Sequence, residues 1–200
     1  YEKISEYITT NNEIDETKID TLINKNLSKE YNTFLNSFNV KEEYILDKTL
    51  TNFWYIGFIK IFFPNSKIIL TERNPQDISL SIFKINFKNG FMNFAYSQNE
   101  IVEFYNNYFD LINFWKNLFK DEIYNVSYEK LIKNPEDQIK EIINFCDLKW
   151  DSHCLNHHKN KSSIHTASID QARKPIYQTS ENKSNYYSNH LNKMYSLLKN

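Results

Sequence analysis

Lys67-Ile68-Ile69-Leu70-Thr71-Glu72 runs straight into Arg73-Asn74-Pro75. Its compact β-branched run is of the kind that fills a buried parallel strand, and it stops at a charged residue. Asn74-Pro75 then opens a helix, with Pro at a first-turn position and Ile78, Leu80, Ile82 and Phe83 alternating with Ser79 and Ser81. The unit is strand, charged turn, helix. Downstream it recurs: Ile123 to Tyr128 predicts a short strand, and Asn134-Pro135-Glu136-Asp137 starts a helix reaching Cys146, its early acids suiting the helix dipole. Between the two units, Glu100 to Phe119 carries apolar residues on too many faces for a one-sided surface helix, which predicts a largely buried one. Upstream, Tyr44-Ile45-Leu46 reads as a strand ending in Asp47-Lys48, and a helix from Thr51 to Phe62 is stopped by Pro64. A period near 3.6 from Ile19 to Phe38, a helical pattern at Tyr1 to Ile8 and a terminal helix near Tyr186 to Leu198 complete the reading.

Alternating strands and crossover helices imply an α/β fold, helix-rich, with a mostly parallel sheet and helices on both faces. At 200 residues, with 40% hydrophobic and 16% aromatic content, the chain can bury a sizeable core, and residues 1–200 read as one domain. A net charge of -1 supplies no global field for nucleic acid or an anionic membrane, so any anion site must be built locally. Two Gly and four Pro exclude collagen-like and linker-like classes. The run Phe53 to Phe63 is broken by Gly57 and Lys60 and falls short of the roughly 18 apolar residues a membrane helix needs. Cys146 and Cys154, in no CxxC unit, argue against a disulfide framework and fit a reducing, cytoplasmic setting. The chain opens at Tyr1 with no Met, which suggests an upstream piece.

In open parallel sheets ligands bind beyond the carboxyl ends of strands, where Asp47-Lys48, Arg73 and Tyr128 are expected to converge. Arg73 is one of only two Arg in the chain. A guanidinium fork with the Ser81 hydroxyl on the next helix suits the several oxygens of a terminal phosphate; the plain alternative is a surface Arg in an ion pair. The other Arg lies in the irregular stretch Thr166 to Tyr177, where Ser168, Asp170, Gln171, Arg173 and Lys174, with Lys183 beyond, suit closure over an anionic nucleotide or simply form a solvated basic loop. His153, His157 and His158 near Cys154 make no ordinary spaced ligand set, so no metal is expected. Glu129 reads as a helix-capping acid, Cys146 as buried and inert, and the three Trp as core.

The ordered motifs together resemble a known family. Asp47-Lys48 with Asn52, Phe63-Pro64-Asn65-Ser66-Lys67-Ile68-Ile69, Arg73-Asn74-Pro75 with Asp77 and Ser81, Val126-Ser127-Tyr128-Glu129-Lys130-Leu131 with Asn134-Pro135-Glu136, Phe145-Cys146, Trp150-Asp151 and the Thr166 to Tyr177 stretch are similar to sulfotransferases that use 3'-phosphoadenosine 5'-phosphosulfate. The likeness spans roughly Tyr44 to Tyr187 and is greatest to the tyrosylprotein type and its bacterial tetratricopeptide-linked relatives, which leaves room for such repeats upstream.

The resemblance implies a P-loop-like fold whose first strand and phosphate loop are missing, since no Pro-Arg-Ser-Gly-Thr-Thr-like loop occurs and Gly57 and Gly90 are the only glycines. It implies that Arg73 and Ser81 hold the 3'-phosphate, that Tyr128 lines the nucleotide site, and that Ser168, Asp170, Gln171, Arg173, Lys174 and Lys183 wrap the nucleotide. Lys48 and Ser168 would be catalytic, stabilising charge on the transferring sulfuryl group and its bridging oxygen. The implied reaction moves a sulfuryl group from the nucleotide donor to a hydroxyl on protein tyrosine, saccharide or small molecule. Ile85 and Ser184 depart from the family pattern, and the family's acidic base normally precedes Tyr1, so the chain alone is expected to be a weak or inactive enzyme. Two alternatives stand beside this: a degenerate domain that binds 3',5'-adenosine bisphosphate or a protein partner without turnover, and a P-loop nucleotide kinase, which would need a Gly-rich loop with Lys.

Overall fold

The computed structural model describes residues 20, 27–38, 42–87, 90–160, 173–177 and 180–200. The chain divides into two compact units, Tyr1–Ser66 and Lys67–Asn200, taken separately below.

In the first unit, α1 is Leu27–Asn36, inside the stretch expected to be helical. The rest of that stretch, and the pattern at Tyr1 to Ile8, lie outside the described residues. The strand expected at Tyr44-Ile45-Leu46 does not form. These side chains are 60%, 52% and 84% exposed, and three apolar residues with no described strand beside them cannot satisfy their backbone in a ladder. The Asp47 carboxylate organises the following turn, accepting from the Thr49 backbone N–H at 2.9 Å, the Thr49 hydroxyl at 2.7 Å and the Asn52 amide at 3.1 Å. A 3-10 turn, Asn52–Tyr55, leads into α2, Ile56–Phe62, which ends before Pro64 as the sequence requires. Lys60 is buried yet satisfied, its ammonium donating to the carbonyls of Pro64 at 2.7 Å and Ser66 at 3.0 Å.

In the second unit, β1 is Ile68–Glu72 and α3 is Pro75–Phe83. The Asn74 side chain caps α3 by accepting from the N–H groups of Gln76 and Asp77, and Pro75 takes the first helical position, where its missing N–H costs nothing. The long helix α4, Gln98–Phe119, starts at Ser97, whose hydroxyl accepts from the Glu100 N–H. Then β2, Ile123–Ser127, runs parallel to β1 in the register Ile68 with Ile123 through Glu72 with Ser127. Two short helices follow, α5 at Tyr128–Lys133 and α6 at Pro135–Phe145. Four 3-10 stretches, Gly90–Tyr96, Lys120–Glu122, Ser152–Lys159 and Lys183–Tyr187, and the helix α7, Ser188–Ser196, are the other described elements.

The fold is helix-rich α/β with a small parallel sheet. Strand parity puts helices on opposite faces. Lys116 of α4 pairs with Glu72, whereas Tyr124, which lies opposite Ile69 three residues from Glu72 and so on the other face, meets Phe145 and Glu141 of α6. The main core joins Leu80 of α3, Ile101 and Val102 of α4, and Leu191, Met194 and Tyr195 of α7. Each large apolar side chain there contributes about 1.5–3 kcal/mol by leaving water. The expectation that α4 is largely buried holds only for its packed face: Ile101, Val102 and Ile112 are buried, but Phe114 and Leu118 are 55% and 57% exposed. The core against α3 and α7 is built on the first turns of α4, and the C-terminal turns extend past it. No described helix is long and apolar enough to cross a membrane.

Candidate functional site

The register that ends with Glu72 beside Ser127 makes Arg73 and Tyr128 neighbours at the carboxyl ends of the two strands. The Arg73 guanidinium stands over the Tyr128 ring at 4.6 Å from its centroid, a cation–π contact that fixes the plane of the fork. Its Nη2 donates to the Ser180 carbonyl and lies 3.5 Å from an Asp77 carboxylate oxygen, four residues on. Its Nε is buried and has no partner among the described residues. Arg73 is thus held at the sheet edge by its ring, carbonyl and carboxylate contacts.

Asp77 was only a letter in a motif; the structure makes it the organising residue. It is 2% exposed, and its two oxygens accept from the backbone N–H groups of Asn182 and Ser184, both at 2.8 Å. Burial pushes its pKa up, but these bonds, the Ser184 hydroxyl and the Arg73 charge together hold it below the usual value. Lys183, exposed, is the residue between those two N–H groups. The sequence signal available was the opposite charge of Arg73 and Asp77, four residues apart across the start of α3. Nothing local could have named Asn182 and Ser184 as partners.

On the other side of Arg73, Glu129 does not cap its own helix as expected. One carboxylate oxygen accepts from the Asn74 N–H at 2.8 Å, and the other accepts from the Ser127 hydroxyl at 3.1 Å, so the loop after β2 is tied to the loop after β1. A cavity of about 470 Å³ opens at this edge, bordered by Glu72, Arg73, Asn74, Tyr108, Glu129 and Asn182 among others. Burial first, then the nearby Glu72 carboxylate and Tyr105, push the Tyr108 hydroxyl up to about 12.

The remaining expected site residues are distributed unevenly. Ser81 is exposed near the end of α3, whereas Ser79, on the buried side, is fully enclosed with an unpartnered hydroxyl. Arg173 donates to the Asn160 carbonyl, and the Lys174 carbonyl lies 3.1 Å from the His157 ring, so this pair is anchored on the 152–160 stretch. Ser168, Asp170 and Gln171 lie outside the described residues. Lys48 is exposed in the first unit, beside the turn that Asp47 holds. Among the described residues no group of three or more His, Cys, Asp or Glu is arranged to hold a metal ion.

A parallel sheet in a helix-rich α/β fold, with an arginine at its carboxyl edge, puts a basic group where open parallel sheets bind their ligands. Residues 3–152 match the sequence profile of the Sulfotransferase family, and the chain belongs to that family. Among curated relatives it is 37% identical over 156 residues to an uncharacterized protein of Aquifex aeolicus, an alignment covering 77% of this chain and 20% of that protein. It is 31% identical over 101 residues to a Caenorhabditis briggsae protein bearing the name "Putative protein-tyrosine sulfotransferase", covering 50% of this chain and 36% of that one. The chain therefore spans between a fifth and about a third of the length of these relatives.

Proposed function

We propose that this chain binds 3'-phosphoadenosine 5'-phosphosulfate and belongs to an enzyme that transfers its sulfuryl group to a hydroxyl acceptor, with a tyrosine side chain as the acceptor class suggested by the named relative. The observation that carries the reading is the Arg73 fork, held by Tyr128, Asp77 and Ser180 at the strand ends, on the border of the cavity. An immobilised guanidinium recognises phosphate oxygens at little entropic cost, and the exposed Lys183 ammonium beside the Asp77-bound backbone supplies a second positive charge. In this reading Arg73, with Ser81, holds the 3'-phosphate and Tyr128 borders the nucleoside.

The donor supplies an activated sulfuryl group. The acceptor oxygen forms a bond to sulfur as the bond from sulfur to the bridging phosphate oxygen breaks. That oxygen leaves with the electron pair, and the acceptor proton passes to a base. The proposed work of Lys48 and Ser168 is to stabilise the charge growing on the sulfuryl group and leaving oxygen, a stabilisation greatest in the transition state, which speeds the transfer. Ser168, Asp170, Gln171, Arg173 and Lys174 are proposed to close over the nucleotide. A non-catalytic binder of 3',5'-adenosine bisphosphate is the second reading, favoured by Ser184, whose buried side chain serves Asp77.

The test is transfer of labelled sulfate from the phosphosulfate donor to tyrosine peptides, saccharides and phenols. Labelled product with release of the bisphosphate supports the enzyme. Bisphosphate binding without product on any acceptor favours the second reading.

A further inference from the structure

We propose that Asp77 is a positioning residue that makes Arg73 and Lys183 a single phosphate-recognising unit. The inference rests on the nucleotide reading above and adds a residue which that reading does not use. One carboxylate touches both halves. An oxygen of Asp77 lies 3.5 Å from the Arg73 guanidinium, and its two oxygens bind the N–H groups on either side of Lys183, at 2.8 Å each. The second half is remote in sequence, 105 to 107 residues away, so these bonds set where the backbone on either side of Lys183 stands relative to Asp77. Asn182 is held at φ 59, a left-handed backbone that a non-glycine residue adopts at a cost, and its N–H is one of the two that Asp77 accepts. Arg73 itself donates to the Ser180 carbonyl, so the same segment is fastened at a second point. Asp77 is 2% exposed and buried carboxylates are costly, so its place beside a cation and two N–H donors serves that junction. It faces Arg73 and Ser184, with Tyr195 close enough to feel its charge.

The chemistry that follows is discrimination. In this proposal a phosphate on the 3' side meets the Arg73 fork and is reached by the Lys183 side chain, whose backbone the Asp77 bonds hold in place. A nucleotide without that phosphate makes neither contact. Loosening the 180–184 segment should therefore weaken 3',5'-adenosine bisphosphate and leave adenosine 5'-phosphate almost alone, an outcome that a general loss of folding would not produce.

The experiment is calorimetric titration of the 200-residue chain with both nucleotides, for wild type, Asp77→Asn, Lys183→Ala and the double variant, with amide hydrogen exchange read at Asn182 and Ser184. Asp77→Asn keeps the shape and removes the charge. It should weaken the bisphosphate about tenfold, leave adenosine 5'-phosphate within about twofold, and cost much less when Lys183 is already gone, the mark of residues acting as one. Exchange at the two amides should quicken in Asp77→Asn. Should that variant not fold, the wild type still decides: bisphosphate must further slow exchange at Asn182 and Ser184, and unchanged exchange in the bound protein overturns the proposal. Equal bisphosphate affinity in wild type and Asp77→Asn, or additive losses in the double variant, overturns it alone. No bisphosphate binding by folded wild type overturns the nucleotide reading and this inference with it.

Discussion

Asp47 and Asp77 occupy similar positions in the sequence, each near a basic residue at the end of an apolar run, and do different work. Asp47 is exposed and bonds residues close in sequence, Thr49 and Asn52, with the Tyr31 hydroxyl at 3.4 Å. Asp77 is buried and bonds residues more than a hundred positions away. Both carboxyls are held below the usual value, in each case by hydrogen bonds that outweigh the opposing effect of burial. The first caps a turn. The second joins two parts of a candidate site. A depressed carboxylate therefore reveals hydrogen-bond donors without saying whether they are local, and only the distance in sequence separates a cap from a clasp.

The comparison can be broken by mutation. The largest effect on stability is expected from Asp77→Ala, which strands two backbone N–H groups and a guanidinium at a buried junction and should cost about 3 kcal/mol. Denaturant unfolding checks it, and a loss below about 1 kcal/mol would remove the clasp from the account. Arg73→Ala should weaken 3',5'-adenosine bisphosphate by about 2 kcal/mol or more while adenosine 5'-phosphate barely changes. Equal losses for the two nucleotides would mean that Arg73 serves folding instead. Asp47→Ala, the local cap, should cost only about 1 kcal/mol and leave bisphosphate affinity unchanged.

The smallest effect sharpens the comparison through pH. A carboxyl whose folded pKa lies below its unfolded value of 3.8 stabilises the fold fully above that value. The contribution is lost as pH falls through 3.8 towards the depressed folded pKa, because protonation then favours the unfolded chain. Acid unfolding curves of Asp77→Asn and Asp47→Asn should both be flatter than wild type below pH 4, with the larger change at Asp77, whose donors are buried. An unchanged acid limb in Asp77→Asn would contradict the cause assigned to its shift.

Local features were readable from the sequence. The β-branched run at Ile68 to Glu72, the Asn74 cap and Pro75 specify β1 and α3 by chemistry confined to a few residues, and the structure shows these elements. Strand parity and register then made Arg73 and Tyr128 neighbours. Tyr44-Ile45-Leu46 misled because an apolar run carries no information about whether a partner strand is beside it. The α4 pattern misled in the same way, since Phe114 and Leu118 supply apolar surface that the core against α3 and α7 does not use. The partners of Asp77, Glu129 and Ser180 were beyond local reading, because each contributes through a contact between segments far apart in sequence.

The most direct test of the central claim, that the edge at Arg73 is built for a 3'-phosphate, is calorimetric titration of the folded chain with 3',5'-adenosine bisphosphate against adenosine 5'-phosphate. The account predicts that the bisphosphate binds at least about tenfold more tightly, about 1.4 kcal/mol, from charge-assisted contacts that the monophosphate lacks. Equal affinity for the two, or no binding of either, would contradict it.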